Sequence, residues 1–273
     1  MKHERIFLNG EDERVFIDTY VANHKAKRDA ILVIPGGGYS QVCTDREGEP
    51  IALEFFARGY NAFVLGYRVG REGDVFPKQL IDASLAMAYI RDHAEELSVD
   101  PDRVFAVGFS AGGHLCGCIS TMFDYPEVKA VLGDGYKKAR PTGAILSYPV
   151  TVMTGKTHIN SFKNLLGRPS AVFTEEEIGR YSLDRVVKED SSPMFIWHTA
   201  EDTCVPPEGS LKLGLALIAA KVPFRLSMFP YGPHGVALSN SVTECGNSAW
   251  VQPMAERWVD EADEWMKSLK SDS

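Results

Sequence analysis

The chain has 273 residues, 44% of them hydrophobic, with 24% charged residues and a formal net charge of −8. That balance is ordinary for a globular chain with a sizeable core, and the acidic charge without a Lys/Arg run longer than two excludes a nucleic-acid footprint. The first twenty residues carry charges every few positions and no stretch approaches 18 uninterrupted apolar residues, so neither a signal peptide nor a membrane span is expected, and the reading is cytoplasmic.

In chain order, "ERIFLNG" and "RVFIDTYV" flank the polar turn "NGEDE", which predicts an antiparallel hairpin at one sheet edge. "AILVIP" (Ala30 to Pro35) and "NAFVLGYRV" read as buried strands, with the helix-period segment "GEPIALEFFARG" between them. From Pro77, "PKQLIDASLAMAYIRDHAEEL" predicts a helix with Leu80, Leu85, Ala88 and Tyr89 near one face. "RVFAVGF" is the next strand, and a helix begins just after Ser110. "GAILSYPV", "MFIWHT" and "FRLSMFP" are further strands; "EGSLKLGLALIAAK" and "AERWVDEADEWMKSL" are helices. Alternating strands and helices predict an α/β class with a mostly parallel central sheet and helices on both faces. Thr154 to about Asp190 is too long for a plain crossover. It is expected as a small helical insertion over the C-terminal sheet edge, shaping a pocket mouth, with packing on the sheet alone as the alternative. No linker divides the chain, so one domain over 1–273 is expected. The five cysteines lack zinc-type spacing; Cys116 and Cys118, two apart on a helix, face away from each other, and reduced buried thiols are expected.

Chemistry concentrates at Gly108-Phe109-Ser110-Ala111-Gly112, a G-x-S-x-G between a strand and a helix. A sharp strand-to-helix turn forces a strained serine backbone and requires flanking residues without a Cβ, and it lifts the hydroxyl to a helix N-terminus. A serine nucleophile needs a base, and His234 in "FPYGPHGVALS" follows the last predicted strand in a Gly/Pro-punctuated loop. His198, ending "MFIWH", is the reserve; His114 is expected in packing and His158 lies in the insertion. The base needs an acid, and Asp202 in "HTAEDTCVPPEGS" follows a strand end, with Glu201 beside it as the lesser choice. The order Ser110, Asp202, His234 is that of α/β-hydrolases. For an oxyanion hole, Gly36, Gly37 and Gly38 follow a strand; the N–H of Gly37 or Gly38, with that of Ala111, is the expected donor set. Neither a GK[ST] nor a G-x-G-x-x-G follows, which argues against a phosphate loop.

These motifs resemble the α/β-hydrolase superfamily over nearly the whole chain, and within it the small bacterial acetyl esterase and acetylxylan esterase-like branch related to hormone-sensitive lipase. The residues that carry the resemblance are "IPGGGYS", "GYRV", the segment from Phe76 to Leu115, "TAEDTCVP" and "GPHG". Where lipase-like relatives carry His before the three glycines, this chain has Pro35, so their substrate preference does not carry over on that motif. The resemblance implies an acyl-enzyme carboxylesterase for short esters, with acetylated sugars or xylo-oligosaccharides as substrates, and no metal or organic cofactor. It also implies that Tyr39 and Tyr67 line the acyl or alcohol pocket, packing being the equal alternative. Self-association is left open, and no nucleic-acid or membrane partner is expected. The other readings are an arylformamidase or small amidase on the same scaffold, a prolyl-oligopeptidase-type peptidase, disfavoured for want of a propeller-sized extra domain, and a non-catalytic binding protein.

Overall fold

A computed structural model describes residues 1–10, 12–70, 73–169 and 172–269. Glu11 of the predicted hairpin turn, and Ser170 and Ala171 of the predicted insertion, lie outside the described residues.

Among the described residues eight strands form one sheet: β1 (Arg5–Phe7), β2 (Phe16–Tyr20), β3 (Arg28–Ile34), β4 (Asn61–Gly66), β5 (Val99–Phe109), β6 (Ala144–Ser147), β7 (Met194–Thr199) and β8 (Phe224–Phe229). Their spatial order is β1-β2-β4-β3-β5-β6-β7-β8. β1 and β2 pair antiparallel, β2 runs antiparallel to β4, and every later pairing is parallel. The β3–β4 swap puts β5 near the middle of the sheet, so the loops leaving the C-terminal ends of β3, β5, β7 and β8 converge on one edge.

Strand alternation sorts the core into two layers. Ala30, Leu32 and Ile34 of β3 face one layer with Ala106 and Leu146; Ile31 and Val33 face the other with Val107 and Ile145. The helices are α1 (Thr44–Glu47), α2 (Glu49–Ala57), α3 (Lys78–Asp92), α4 (Ala111–Thr121), α5 (Pro126–Leu132), α6 (Ile159–Leu166), α7 (Glu175–Tyr181), α8 (Leu183–Val186), α9 (Glu208–Ala219) and α10 (Trp258–Ser268). α3, α4 and α9 cover the first face through Leu80, Met87, Ile119 and Leu217. α2 and α10 cover the second through Phe55, Trp258 and Met266. Trp258 stacks on Trp197 of β7 with ring centroids 5.1 Å apart.

Three expectations need correction. On α3, Leu80 and Ala88 are buried but Leu85 and Tyr89 only half so, while Ala83, Ala86, Met87 and Ile90 are fully buried. The helix is covered by the sheet and also by α4 and α5, so no single stripe describes it. β5 starts at Val99 rather than Arg103, because the register against β3 slips between Arg28 and Ala30 and accommodates Pro101, which has no N–H for the ladder. Of the five free cysteines only Cys116 and Cys118 are buried; Cys43 is half-buried, and Cys204 and Cys245 are exposed on loops. Among the described residues no helix is long and apolar enough to cross a membrane.

Candidate active site

Ser110 sits between β5 and α4 with φ 54° and ψ −116°. A non-glycine residue there stores about 1–3 kcal/mol of backbone strain, held in place by its surroundings. The surroundings are tight: a Cβ on Gly108 would stand 2.2 Å from the Gly112 carbonyl oxygen, and one on Gly112 would stand 2.2 Å from that of Ile34. Both glycines of the motif are thus required by close backbone approach. Ser110 keeps 8% of its surface, enough to present its hydroxyl.

His234 and Asp202 reach this serine from the loops after β8 and β7. The Ser110 hydroxyl donates to His234 Nε2 at 2.8 Å, and His234 Nδ1 donates to Asp202 Oδ2 at 2.6 Å. Asp202 Oδ1 accepts the N–H groups of Cys204 and Val205, at 3.0 and 2.8 Å. Burial by itself would raise this carboxyl's pKa. Hydrogen bonds from His198 and His234, with the backbone of Val205, outweigh it and hold Asp202 well below the usual carboxylate range. The aspartate is therefore ionised at neutral pH.

His198 is fully buried and does not face the serine. Its Nε2 donates to Asp202 Oδ2 (3.1 Å) and to the Val205 carbonyl (2.8 Å), while its Nδ1 accepts from Ser210 Oγ (2.8 Å). Glu201 turns away to accept the Gly232 N–H at 3.2 Å.

The loop after β3 lies against the serine turn. Gly37 has φ 128°, and a Cβ there would stand 2.1 Å from the Gln41 carbonyl oxygen. The N–H groups of Gly37, Gly38 and Ala111 find no protein acceptor among the described residues, whereas that of Gly36 is bonded to Glu47 Oε2 at 2.8 Å. Tyr39 and Tyr67 do not line the cavity: each is at most 3% exposed. Tyr39, at φ 57°, turns inward and bonds through its hydroxyl to His114 Nδ1 at 2.8 Å. The Tyr67 hydroxyl donates to the Pro35 carbonyl at 2.8 Å. The two rings meet edge-on with centroids 6.5 Å apart, so both pack in the core at the root of the glycine loop.

Ser110 and His234 open onto a cavity of about 610 Å³. α6 of the insertion supplies one wall through Asn160, Lys163 and Asn164, spaced i, i+3, i+4, while Phe162 and Leu165 go into the core. Asn164 Nδ2 donates to the Gly38 carbonyl at 2.8 Å. His158 also lines the cavity; burial, and then the charge of His234, lower its pKa. α7 and α8 instead pack on α4, with Leu183 against Gly117 and the Tyr181 carbonyl accepting from His114 Nε2 at 2.8 Å. The insertion therefore divides, α6 forming pocket wall and α7 and α8 packing. Among the described residues no group of three or more His, Cys, Asp or Glu is placed to hold a metal ion.

A serine at a strand-to-helix elbow, hydrogen-bonded to histidine and aspartate from later loops of this eight-stranded sheet, defines an α/β-hydrolase. The chain belongs to the BD-FAE family, whose model matches residues 17–217. An endo-1,4-β-xylanase B of Butyrivibrio fibrisolvens is 41% identical over 81% of this chain and 34% of its own length. An acetylxylan esterase of Xylanibacter ruminicola is 28% identical over 88% of this chain and 45% of its own. The chain thus spans less than half the length of either relative. The crystal structure of an acetyl ester-xyloside bifunctional hydrolase from Caldicellulosiruptor lactoaceticus is similar with a TM-score of 0.82 and 31% identity, over 97% of this chain and 96% of that one.

Proposed function

We propose that the protein, read as one α/β-hydrolase domain over 1–273, is a serine carboxylesterase that removes acetyl and similar short acyl groups from acylated sugars or xylo-oligosaccharides. The observation that carries this reading is the unbroken hydrogen-bond chain Asp202–His234–Ser110, ending at a cavity with a polar wall. Ser110 Oγ attacks the ester carbonyl as its proton passes to His234 Nε2, and Asp202 stabilises the imidazolium. The oxyanion takes the N–H groups of Gly37 and Gly38 and that of Ala111, the first residue of α4, none of which has a protein acceptor among the described residues. The alcohol leaves with the proton from His234, and water repeats the sequence on the acyl-enzyme.

The wall of α6 supports a polyhydroxylated alcohol half: Asn160, Lys163 and Asn164 offer hydrogen-bonding groups where a lipase-like site needs apolar surface. The names of the relatives, an acetylxylan esterase and an acetyl ester-xyloside hydrolase, support the same substrate class. Glycoside hydrolysis uses a pair of carboxyl groups across the bond, whereas among the described residues the one carboxylate on this cavity wall is Glu47, with both oxygens already bonded; the esterase reading is therefore the one this site supports best. A cytoplasmic setting, in keeping with five free thiols, is part of the proposal.

The test is acetate release from acetylated xylo-oligosaccharides by the wild-type protein and by Ser110→Ala. Loss of more than about 10⁴-fold in kcat for a folded variant is expected. Release by both proteins alike refutes the serine mechanism. Ester hydrolysis without release from sugars refutes the substrate class and favours other short esters or formamides.

A further inference from the structure

α1 is a single turn, yet its last two residues grip both loops that must meet at Ser110. Glu47 is 2% exposed and has no ion pair among the described residues. Its Oε2 accepts the Gly36 N–H at 2.8 Å, at the root of the glycine loop. Its Oε1 accepts the Tyr148 hydroxyl at 2.8 Å. Tyr148, just past β6, in turn accepts the Ala237 N–H at 3.1 Å, three residues beyond His234, and sets its ring edge-on to the His234 ring at 5.0 Å. Arg46 adds a second hold on the same loop: its guanidinium donates to the Gly235 carbonyl and lies over the Trp250 ring.

We infer that Glu47 is a positioning residue that registers the oxyanion loop against the loop carrying His234, with Tyr148 as its relay. The inference rests on the proposed serine mechanism, which gives those two loops their roles. The direction of the hydrogen bonds explains why this position holds a carboxylate. Ala237 occupies a lone pair of the Tyr148 oxygen, so the phenol proton points to Glu47, while the Gly36 amide arrives at the other oxygen, also as a donor. Only an acceptor-only group satisfies both at once, and burial keeps water from substituting. A carboxamide offers one acceptor and one donor. It must either turn its NH₂ on the Gly36 N–H or leave the Tyr148 proton without an acceptor. One of the two loops then loses its anchor. Misplacement by about 1 Å is enough to cost about 100-fold in rate.

Glu47→Gln and Tyr148→Phe, made in the full chain, test this. Tyr148→Phe keeps the ring against His234 and removes only the relay hydroxyl. With 4-nitrophenyl acetate, kcat is expected to fall about 30- to 100-fold in Glu47→Gln and about 5- to 20-fold in Tyr148→Phe, with KM within about twofold of wild type. The low-field proton NMR signal of the His234 Nδ1–H···Asp202 bond is expected to move or broaden in both variants. A purely structural role would lower the melting temperature and leave that signal and the split between kcat and KM unmoved. If either folded variant keeps kcat within about threefold, or if the His234 signal is unchanged, the inference is overturned. Should Glu47→Gln fail to fold, Tyr148→Phe decides by the same readings. A wild-type protein without Ser110-dependent hydrolysis would refute the proposed function, and the His234 signal would still decide the role of Glu47.

Discussion

His114, one turn beyond Ser110, is fully buried between Tyr39 and the Tyr181 carbonyl. Burial lowers its pKa from 6.5 to about 4, against a smaller opposing effect of the Tyr181 bond. Between those values the unfolded chain takes up a proton that the folded chain refuses. Folding stability therefore rises with pH across this window and is lost as pH falls from 6.5 toward 4. At about 1.4 kcal/mol per pH unit the full window is worth roughly 3 kcal/mol, a large share of the roughly 5–15 kcal/mol that holds a domain together. His114→Gln removes the titration while keeping a donor and an acceptor. At pH 7 the variant is expected to be about 1–2 kcal/mol less stable, because an amide cannot span Tyr39 and Tyr181 with equal geometry. Urea unfolding at half-unit steps from pH 7 to 4 gives both curves, and their difference cancels the other titrating groups. The gap should close, then reverse, as pH falls. Two parallel curves would refute the argument, since the wild type would then be losing stability through other groups alone.

Asp202→Asn is expected to lower kcat about 10⁴-fold with little change in KM, measured on 4-nitrophenyl acetate, because the amide holds the wrong His234 tautomer. His198→Gln should cost only about threefold to tenfold in the same assay, since Asp202 keeps His234 and two backbone N–H groups. Gly37→Ala should reduce kcat by at least about 100-fold and lower the melting temperature: its methyl would meet the Gln41 carbonyl and its φ is one that L-residues rarely adopt.

What was legible in the sequence was whatever is encoded locally. The glycines about Ser110 mark a backbone constraint, and six of the eight strands are short apolar runs ended by turn residues. Asp202 and His234 were readable because each follows a strand end in a loop shaped by Gly or Pro. The aromatics were not. Nothing near Tyr39 in sequence tells that its backbone takes φ 57° and turns the ring away from the cavity, toward a histidine 75 positions later. Glu47 and Tyr148 carry no sequence signal for a related reason. Their partners, Gly36 and Ala237, come together only through the sheet, and a one-turn helix has no periodicity to read. α5, from Pro126, was likewise too short to show a stripe, although Pro at its first position and Gly133 at its end are ordinary boundary signals. The cavity-facing side of α6 could have been found from Asn160, Lys163 and Asn164, which share one face opposite Phe162 and Leu165.

The wall supplied by α6 is not a detachable cap. Asn164 holds the Gly38 carbonyl with its side chain, and its own carbonyl oxygen lies so near Gly70 that a Cβ there would stand 1.8 Å away. The Leu165 carbonyl meanwhile accepts the Phe76 N–H at 2.8 Å. Any exchange of this segment to admit a different alcohol thus disturbs the loop proposed to hold the oxyanion. On that proposal, selectivity and turnover are mechanically linked in this scaffold. A directed-evolution campaign on α6 should find that Lys163 accepts substitution with a changed alcohol preference and intact chemistry while Asn164 does not, and that new specificities reached by whole-segment swaps arrive with slow chemistry, recoverable only by second changes in the Gly36–Gln41 loop.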